Sequence, residues 1–530
     1  MAKEQRQNFI SGAAVLAAAV AVTKVLGAIY KIPLGNLLDK EGMAHFYVAY
    51  NIYNLLLILS TAGLPLALSR MISHAQALGQ ENQKRRVFAV GLGLFLALGL
   101  VCSGVMFLFP QQLAAVLHDT LAAAAIRALA PSVLCVCLVS AIRGYTQGQG
   151  NMKPTAASQI IESASKLVVG LTLAWLLLRW GRPSHEAAAG AIAGVAVGAA
   201  LSLLVLGLYM LRQPRSHGTD VPESRRSIVR ELLRIGVPVT IGAGGMSVIT
   251  LLDQMLVMST LQNTLGMTEE MATALYGEYT FSMTLFNLPS SFIYPITISL
   301  IPAIAAALAC GGRESARAQT ETAFRVTALL ALPAGAGLSV LSAPILALLY
   351  PAVPETAAAA AYHLSVLGIA CIFVCLMVMS GGVLQAYGYE YIPVLALLCG
   401  GVLKVVANYL LVANPDVGIR GAAVGTLCCY VLITLINLMA IHRLVPRRPD
   451  YFAVFFKPVL ATAVMAVVAR GSWLWFDRMS GGSRAAVLAA IALAVVVYAA
   501  AVLVLGAIRR QDLLALPKGE KIADFLHIDR

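Results

Sequence analysis

A chain of 530 residues would ordinarily fold as several soluble domains, but 59% of these residues are hydrophobic and only 12% charged, with a mean hydropathy of +0.81. Such a chain cannot cover a water-exposed surface, which excludes a disordered protein, a disulfide-rich secreted domain and a soluble enzyme and leaves a polytopic membrane protein. The formal net charge of +13 then becomes a question of which side of the membrane the Lys and Arg occupy.

Apolar runs of spanning length, read between polar or Pro/Gly breaks, number about fourteen. In chain order their cores are 11–34, 46–73, 87–109, 121–146, 156–178, 187–211, 232–260, 277–305, 322–349, 358–386, 392–413, 419–441, 452–475 and 485–507. Pro333 interrupts the ninth, and Arg470 lies near the end of the thirteenth. The first has the charged start of a signal peptide, yet it is too long and holds Lys24 in its middle, so it reads as an uncleaved span. With the N-terminus inside, the inner segments carry Lys3, Arg6, Lys84-Arg85-Arg86, Lys153, the Arg212 to Arg230 linker, Arg313, Arg317, Arg443, Arg447, Arg448 and Arg509-Arg510. The outer loops carry far fewer basic residues, so both termini are expected on the cytoplasmic side. The cysteines, among them Cys102, Cys135, Cys137 and Cys310, fall almost entirely within spans, where a thiol packs as a small apolar group, and no metal-site spacing appears.

Two stretches about 230 residues apart are similar, as in transporter repeats. Leu64-Pro65 followed by Ser69 matches Tyr294-Pro295 followed by Ser299, and Gln147, Gly150, Pro154 and Lys166 match Gln385, Gly388, Pro393 and Lys404. The expected fold is an all-α membrane protein with two six-helix lobes related by a pseudo-twofold along the membrane normal, plus two extra C-terminal helices. The lobes are 1–211 and 231–445, joined by a polar cytoplasmic linker, 212–230; the extra helices are 446–508, and 509–530 is a cytoplasmic tail.

Lys24, Glu162, Lys166, Asp253 and Lys404 lie far from span ends. Each costs about 2.5–3.5 kcal/mol at bilayer centre, so five facing lipid would cost on the order of 12–17 kcal/mol, more than a typical domain's whole stability. They are expected to face one another, backbone or a watery cavity between the halves. Glu162 precedes Lys166 by one turn, the favourable order for an i,i+4 ion pair. Arg70 and Arg143 lie about one turn from cytoplasmic span ends, where snorkelling explains them as well as function does. The bases outnumber the acids, and a cationic cavity suits an anionic ligand, phosphate above all. Tyr30, Tyr47, Tyr50, Tyr53, Tyr145, Tyr279 and Tyr294, with Asn51, Asn54, Gln159, Asn287 and Asn408, are placed to contact sugar hydroxyls or to bond helix to helix.

Lys24-Val25-Leu26-Gly27 leading to Tyr30-Lys31-Ile32-Pro33-Leu34, then Ala49-Tyr50-Asn51-Ile52-Tyr53-Asn54 and Ser60 through Arg70, resembles the stage V sporulation protein B branch of the polysaccharide-lipid exporters, which is related to the lipid II flippase MurJ. Arg143-Gly144-Tyr145, Gln147-Gly148, Pro154-Thr155-Ala156 and Ser158-Gln159 with Glu162 strengthen the likeness, as does Asn287-Leu288-Pro289 through Pro302. The resemblance implies two lobes around a cationic cavity and flipping of an undecaprenyl-pyrophosphate-linked saccharide by alternating access, with the last two helices forming a lipid-tail groove. It places Lys24 at a family arginine and Lys31 only approximately at the next cation. The arginine pair that MurJ proteins carry after Asn-Leu-Leu is replaced here by Leu57-Ile58, and a family arginine by Thr284, so Arg70, Lys166 and Lys404 become the expected substitutes, with Arg143 at the entrance.

The leading expectation is a lipid flippase of the bacterial cytoplasmic membrane, not an enzyme, whose partners are the lipid-linked saccharide, membrane lipids and cell-wall synthesis proteins rather than nucleic acid. No cofactor or metal is expected beyond a coupling proton or sodium ion, with Asp253 and Glu162 as candidate gates, or the membrane potential. The alternatives are a cation-coupled multidrug exporter, which calls for dominant buried acids, and a membrane glycosyltransferase, which calls for acids on large outer loops.

Overall fold

The computed structural model describes residues 2–61, 63–213, 218–309, 312–480 and 483–508. Cys310, part of the expected linker, and the tail with Arg509-Arg510 lie outside the described residues. All regular structure among those described is helical. The chain divides into two compact units, Met1–Thr280 and Phe281–Arg530.

The first unit holds α1 (Ala2–Leu37), α2 (Lys40–Thr61), α3 (Leu64–Ala77), α4 (Glu81–Leu108), the short α5 (Pro110–Val116), α6 (Ala123–Gly148), α7 (Lys153–Arg179), α8 (Ser184–Leu211) and α9 (Arg225–Ser259). α10 (Glu269–Ala309) begins in the first unit and ends in the second. The second continues with α11 (Arg313–Val340), α12 (Ser342–Leu349), α13 (Pro354–Ala386), α14 (Tyr391–Val412), α15 (Arg420–Leu444), α16 (Tyr451–Ser480) and α17 (Arg484–Val504). Among the described residues eleven segments are long and apolar enough to cross a membrane. α1, α9 and α10, with 36, 35 and 41 residues, are not in that number, so the expected fourteen is not reached by this criterion.

Two spans are broken, and proline explains both. The second span, expected to be one helix, divides into α2 and α3 because Pro65 lacks an N–H and its ring collides with the carbonyl four residues back, that of Thr61. The Gly63 N–H freed at the joint donates to the Thr240 hydroxyl of α9 at 3.1 Å, and a Cβ on Gly63 would strike the Gly236 carbonyl. The ninth span also breaks, but not at Pro333, which sits inside a continuous α11. Its break follows Val340, four residues before Pro344, and the Val340 carbonyl accepts from Arg470 Nη1 at 3.4 Å. Arg470 also lies 4.8 Å from the Trp473 ring, so a charge that weakened the thirteenth span as a prediction caps a broken helix instead.

Small residues set the closest packing. Gly190, Gly194 and Gly198 recur every fourth residue on α8, and a Cβ on Gly194 would strike Gly170 of α7, while one on Gly198 would meet the Glu162 carbonyl. In the second unit α16 and α17 pack on the α11–α12 break through Leu341, Met465, Ala469 and Ala494.

The end of the linker is fastened to α4. Gln80 at the N-cap of α4 makes no side-chain cap. Asp220 supplies it from a distance, accepting the Asn82 N–H at 2.9 Å and the Gln83 N–H at 2.7 Å.

Candidate functional site

On α2, Phe46, Tyr47, Tyr50 and Tyr53 recur at helical spacing and form one aromatic face. Phe46 and Tyr50 stack at 5.7 Å and 11°, and Tyr30 of α1 closes on Phe46 at 6.0 Å while its hydroxyl donates to the Ala191 carbonyl of α8 at 2.9 Å. Lysines approach this face from two helices. Lys166 of α7 lies 5.0 Å from the ring centres of both Tyr30 and Tyr50 and donates to the Tyr50 hydroxyl at 3.4 Å. Lys31 of α1 donates to the Tyr47 hydroxyl at 3.1 Å and lies 4.5 Å from that ring and 5.6 Å from the Tyr50 ring. Lys24, two turns before Lys31 on α1, is exposed and also acts electrostatically on Tyr50. Among the described residues neither Lys31 nor Lys166 has a carboxylate at ion-pair distance. Ring faces attract ammonium groups without neutralising them, at about 0.5–2 kcal/mol each.

The local pair of Glu162 with Lys166 that their spacing allows does not form. Glu162 accepts from Arg143 Nη2 at 2.9 Å, and the same guanidinium donates to the Ser158 hydroxyl at 2.9 Å and the Ser202 hydroxyl at 3.4 Å. Its planar guanidinium, with donors fixed in a rigid fork, ties acceptors from α7 and α8 to α6. Arg143, for which snorkelling was an equal reading, therefore points inward.

Asn51 donates to Gln254 at 2.6 Å, and Asp253, one residue before that glutamine on α9, is buried and acts electrostatically on Tyr276. Asn54 is half-buried, and the Oε1 of Gln159 is buried with no hydrogen-bond partner among the described residues. Arg70 is exposed on α3. In the second unit Lys404 is 7% exposed on α14 and Asn408, one turn later, is fully buried and packed on Gly425 of α15. Lys166, the residue that the sequence repeat aligns with Lys404, is followed one turn later by Gly170, which packs on Gly194 of α8. Asn287 is exposed and donates to the Met283 carbonyl at 2.9 Å, a bond within its own helix.

Sequence reading named Ser158 only within the family motif and not as a partner of Arg143, and it missed Ser202 and the buried contact of His45 Nδ1 with both Asp119 oxygens at 2.7 and 2.9 Å. The glycine repeat on α8 was the one available signal, because it marks the face on which α7 must lie.

The fold matches the solved structure of the lipid II flippase MurJ in an inward closed conformation, with a TM-score of 0.68 and 15% identity over 96% of this chain and 99% of that one. It is the fold of a multi-pass membrane transporter, in the MurJ-like branch of the multidrug/oligosaccharidyl-lipid/polysaccharide superfamily. Residues 9–308 match the family model described as polysaccharide biosynthesis protein, and the chain belongs to that family. It is 26% identical to stage V sporulation protein B of Bacillus subtilis (strain 168) over 525 residues, covering 97% of this chain and 98% of the relative. Identity to the lipid II flippase MurJ of the same organism is 24% over 460 residues, covering 82% and 83%.

Proposed function

We propose that this protein flips an undecaprenyl-pyrophosphate-linked saccharide, lipid II or a related envelope precursor, from the inner to the outer leaflet of the bacterial cytoplasmic membrane. The observation that carries the reading is the approach of Lys24, Lys31 and Lys166 to Tyr50, a cationic surface suited to a diphosphate and backed by hydroxyls rather than carboxylates. Arg70 of the first unit and, separately, Lys404 of the second are further phosphate-binding candidates, Arg143 holds the α6–α7–α8 frame, and Asn51, Asn54, Gln159, Asn287 and Asn408 are the sugar-contact candidates. Asp253 serves as gate or as the site of a coupling proton or sodium ion. Residues 1–211 and 231–445 act as the two lobes of an alternating-access cycle, with both termini cytoplasmic, and 446–508 supply the groove for the lipid tail.

Multidrug export is less well supported, because one of the two membrane-depth acids it would need, Glu162, is committed to Arg143. In vesicles containing labelled lipid II, Lys24→Ala with Lys166→Ala is expected to slow flipping about a hundredfold, the loss of two charge-assisted bonds. Flipping at the parent rate would sink the assignment. Depleting the protein and finding which lipid-linked precursor accumulates on the inner leaflet identifies the glycan.

A further inference from the structure

We propose that a basic pocket at the start of α4, remote in sequence from the lysine cluster, binds an anionic glycerophospholipid of the surrounding membrane. The cavity is about 540 Å³, lined by Asn82, Arg85, Arg86, Phe88 and Ala89 of α4, by Tyr145 near the end of α6, and by Pro222 of the linker. None of these lining side chains is acidic, and Arg85 and Arg86 are both exposed. Arg86 Nη1 is held by the carbonyls of Pro222 and Glu223 at 3.4 and 3.2 Å, acceptors that orient the guanidinium without cancelling its charge. The nearby carboxylates each have a partner: Asp220 caps α4, Glu223 accepts from the Ser227 hydroxyl at 2.9 Å, and Glu81, which also acts electrostatically on Tyr145, pairs with Lys84 at 2.7 Å.

The pocket changes character along the helix. Its mouth is two guanidiniums, the groups that take a phosphodiester, beside Asn82, whose carboxamide donates to the Gly218 and Asp220 carbonyls of the linker. One turn deeper it becomes Phe88, Ala89 and the Tyr145 ring, with Phe88 and Tyr145 only 4.5 Å apart. Because α4 is apolar enough to span, its first turns lie at headgroup depth and the aromatic floor lies where acyl chains begin. A free phosphate would need the mouth but not the floor; an anionic phospholipid uses both. The pocket wall at Pro222 belongs to the same linker segment that Asp220 fastens, so an occupied pocket also holds the linker on α4.

The test uses the full chain in nanodiscs of mixed phosphatidylglycerol and phosphatidylcholine, with retained lipid counted by native mass spectrometry. The parent is expected to retain phosphatidylglycerol selectively, and Arg85→Gln with Arg86→Gln to lower that selectivity about thirtyfold, since each basic group near the surface contributes about a fivefold preference. Ala89→Trp, at an exposed position, keeps both arginines but fills the floor, and is expected to lose selectivity as well; this variant decides the matter if the double mutant does not fold. Undiminished selectivity in either variant, or displacement of the lipid by inorganic phosphate alone, overturns the proposal.

Discussion

Glu162 has two basic residues in play, Lys166 one turn later and Arg143 nineteen positions earlier, and it pairs with the arginine. The choice follows from donor geometry: Arg143 reaches two serines and the carboxylate together, which leaves Lys166 for the tyrosine face. The sequence revealed that Glu162 and Lys166 were too costly to face lipid. It could not reveal their partners, because the fork is assembled from three helices. Glu162→Gln is expected to destabilise the protein by about 2 kcal/mol, an amount discounted for a pair that is not fully buried, because Arg143 loses its counter-charge. Arg143→Gln with Glu162→Gln should recover part of that loss in thermal unfolding. If the single variant melts like the parent, the pair has no structural role.

The places of the helices were legible because a bilayer dictates how long an apolar run must be, although α1, α10 and α11 begin eight or nine residues before the expected cores, and the Gly and Pro of the second span marked its joint. What closes each joint was not legible: the Gly63 bond to Thr240 spans 177 positions and the Arg470 bond to Val340 spans 130. The Asp220 cap on α4 is a third long-range closure, and it titrates. Desolvation pushes the Asp220 carboxyl upward, but the N–H groups of Asn82 and Gln83 and its own outweigh that and hold it below the usual carboxylate range. A lowered folded-state value means the cap's contribution is complete above the ordinary carboxylate pKa of about 4 and fades as pH falls through the lowered one. Hydrogen exchange at the Asn82 and Gln83 amides is therefore expected to show steady protection from neutral pH down to about 4 and a drop below it. Asp220→Asn should give weaker protection at every pH with no step; a step that survives in this variant would assign the titration to another group.

Across the whole molecule, distant stretches assemble surfaces that no local pattern announces. An apolar groove of about 280 Å³ in the second unit draws Leu288 and Pro289 from α10, Pro333 and Gly337 from α11, Met465 from α16 and Ile491 from α17, the last two helices being those for which the internal repeat offers no counterpart. A Cβ on Gly337 meets open space, so Gly337→Leu should fold normally and fill the groove. It is expected to slow flipping of an undecaprenyl-linked substrate about fivefold, roughly the worth of one or two buried methylenes. A short-chain analogue should be unaffected, and equal slowing of both would detach the groove from the lipid tail. The lysines beside Tyr50 have a different reach. Because Lys31 and Lys166 lean on rings and hydroxyls, the unloaded protein carries uncompensated positive charge, and the electric field across the membrane does work on any part of it that shifts along the field, about 2.3 kcal/mol per charge for each 100 mV fully crossed. On the proposed function, an anionic cargo would cancel that charge and with it most of the work. Loaded and empty forms would then feel different forces from the same voltage, so that a gradient barely touching the outward journey would drive the return.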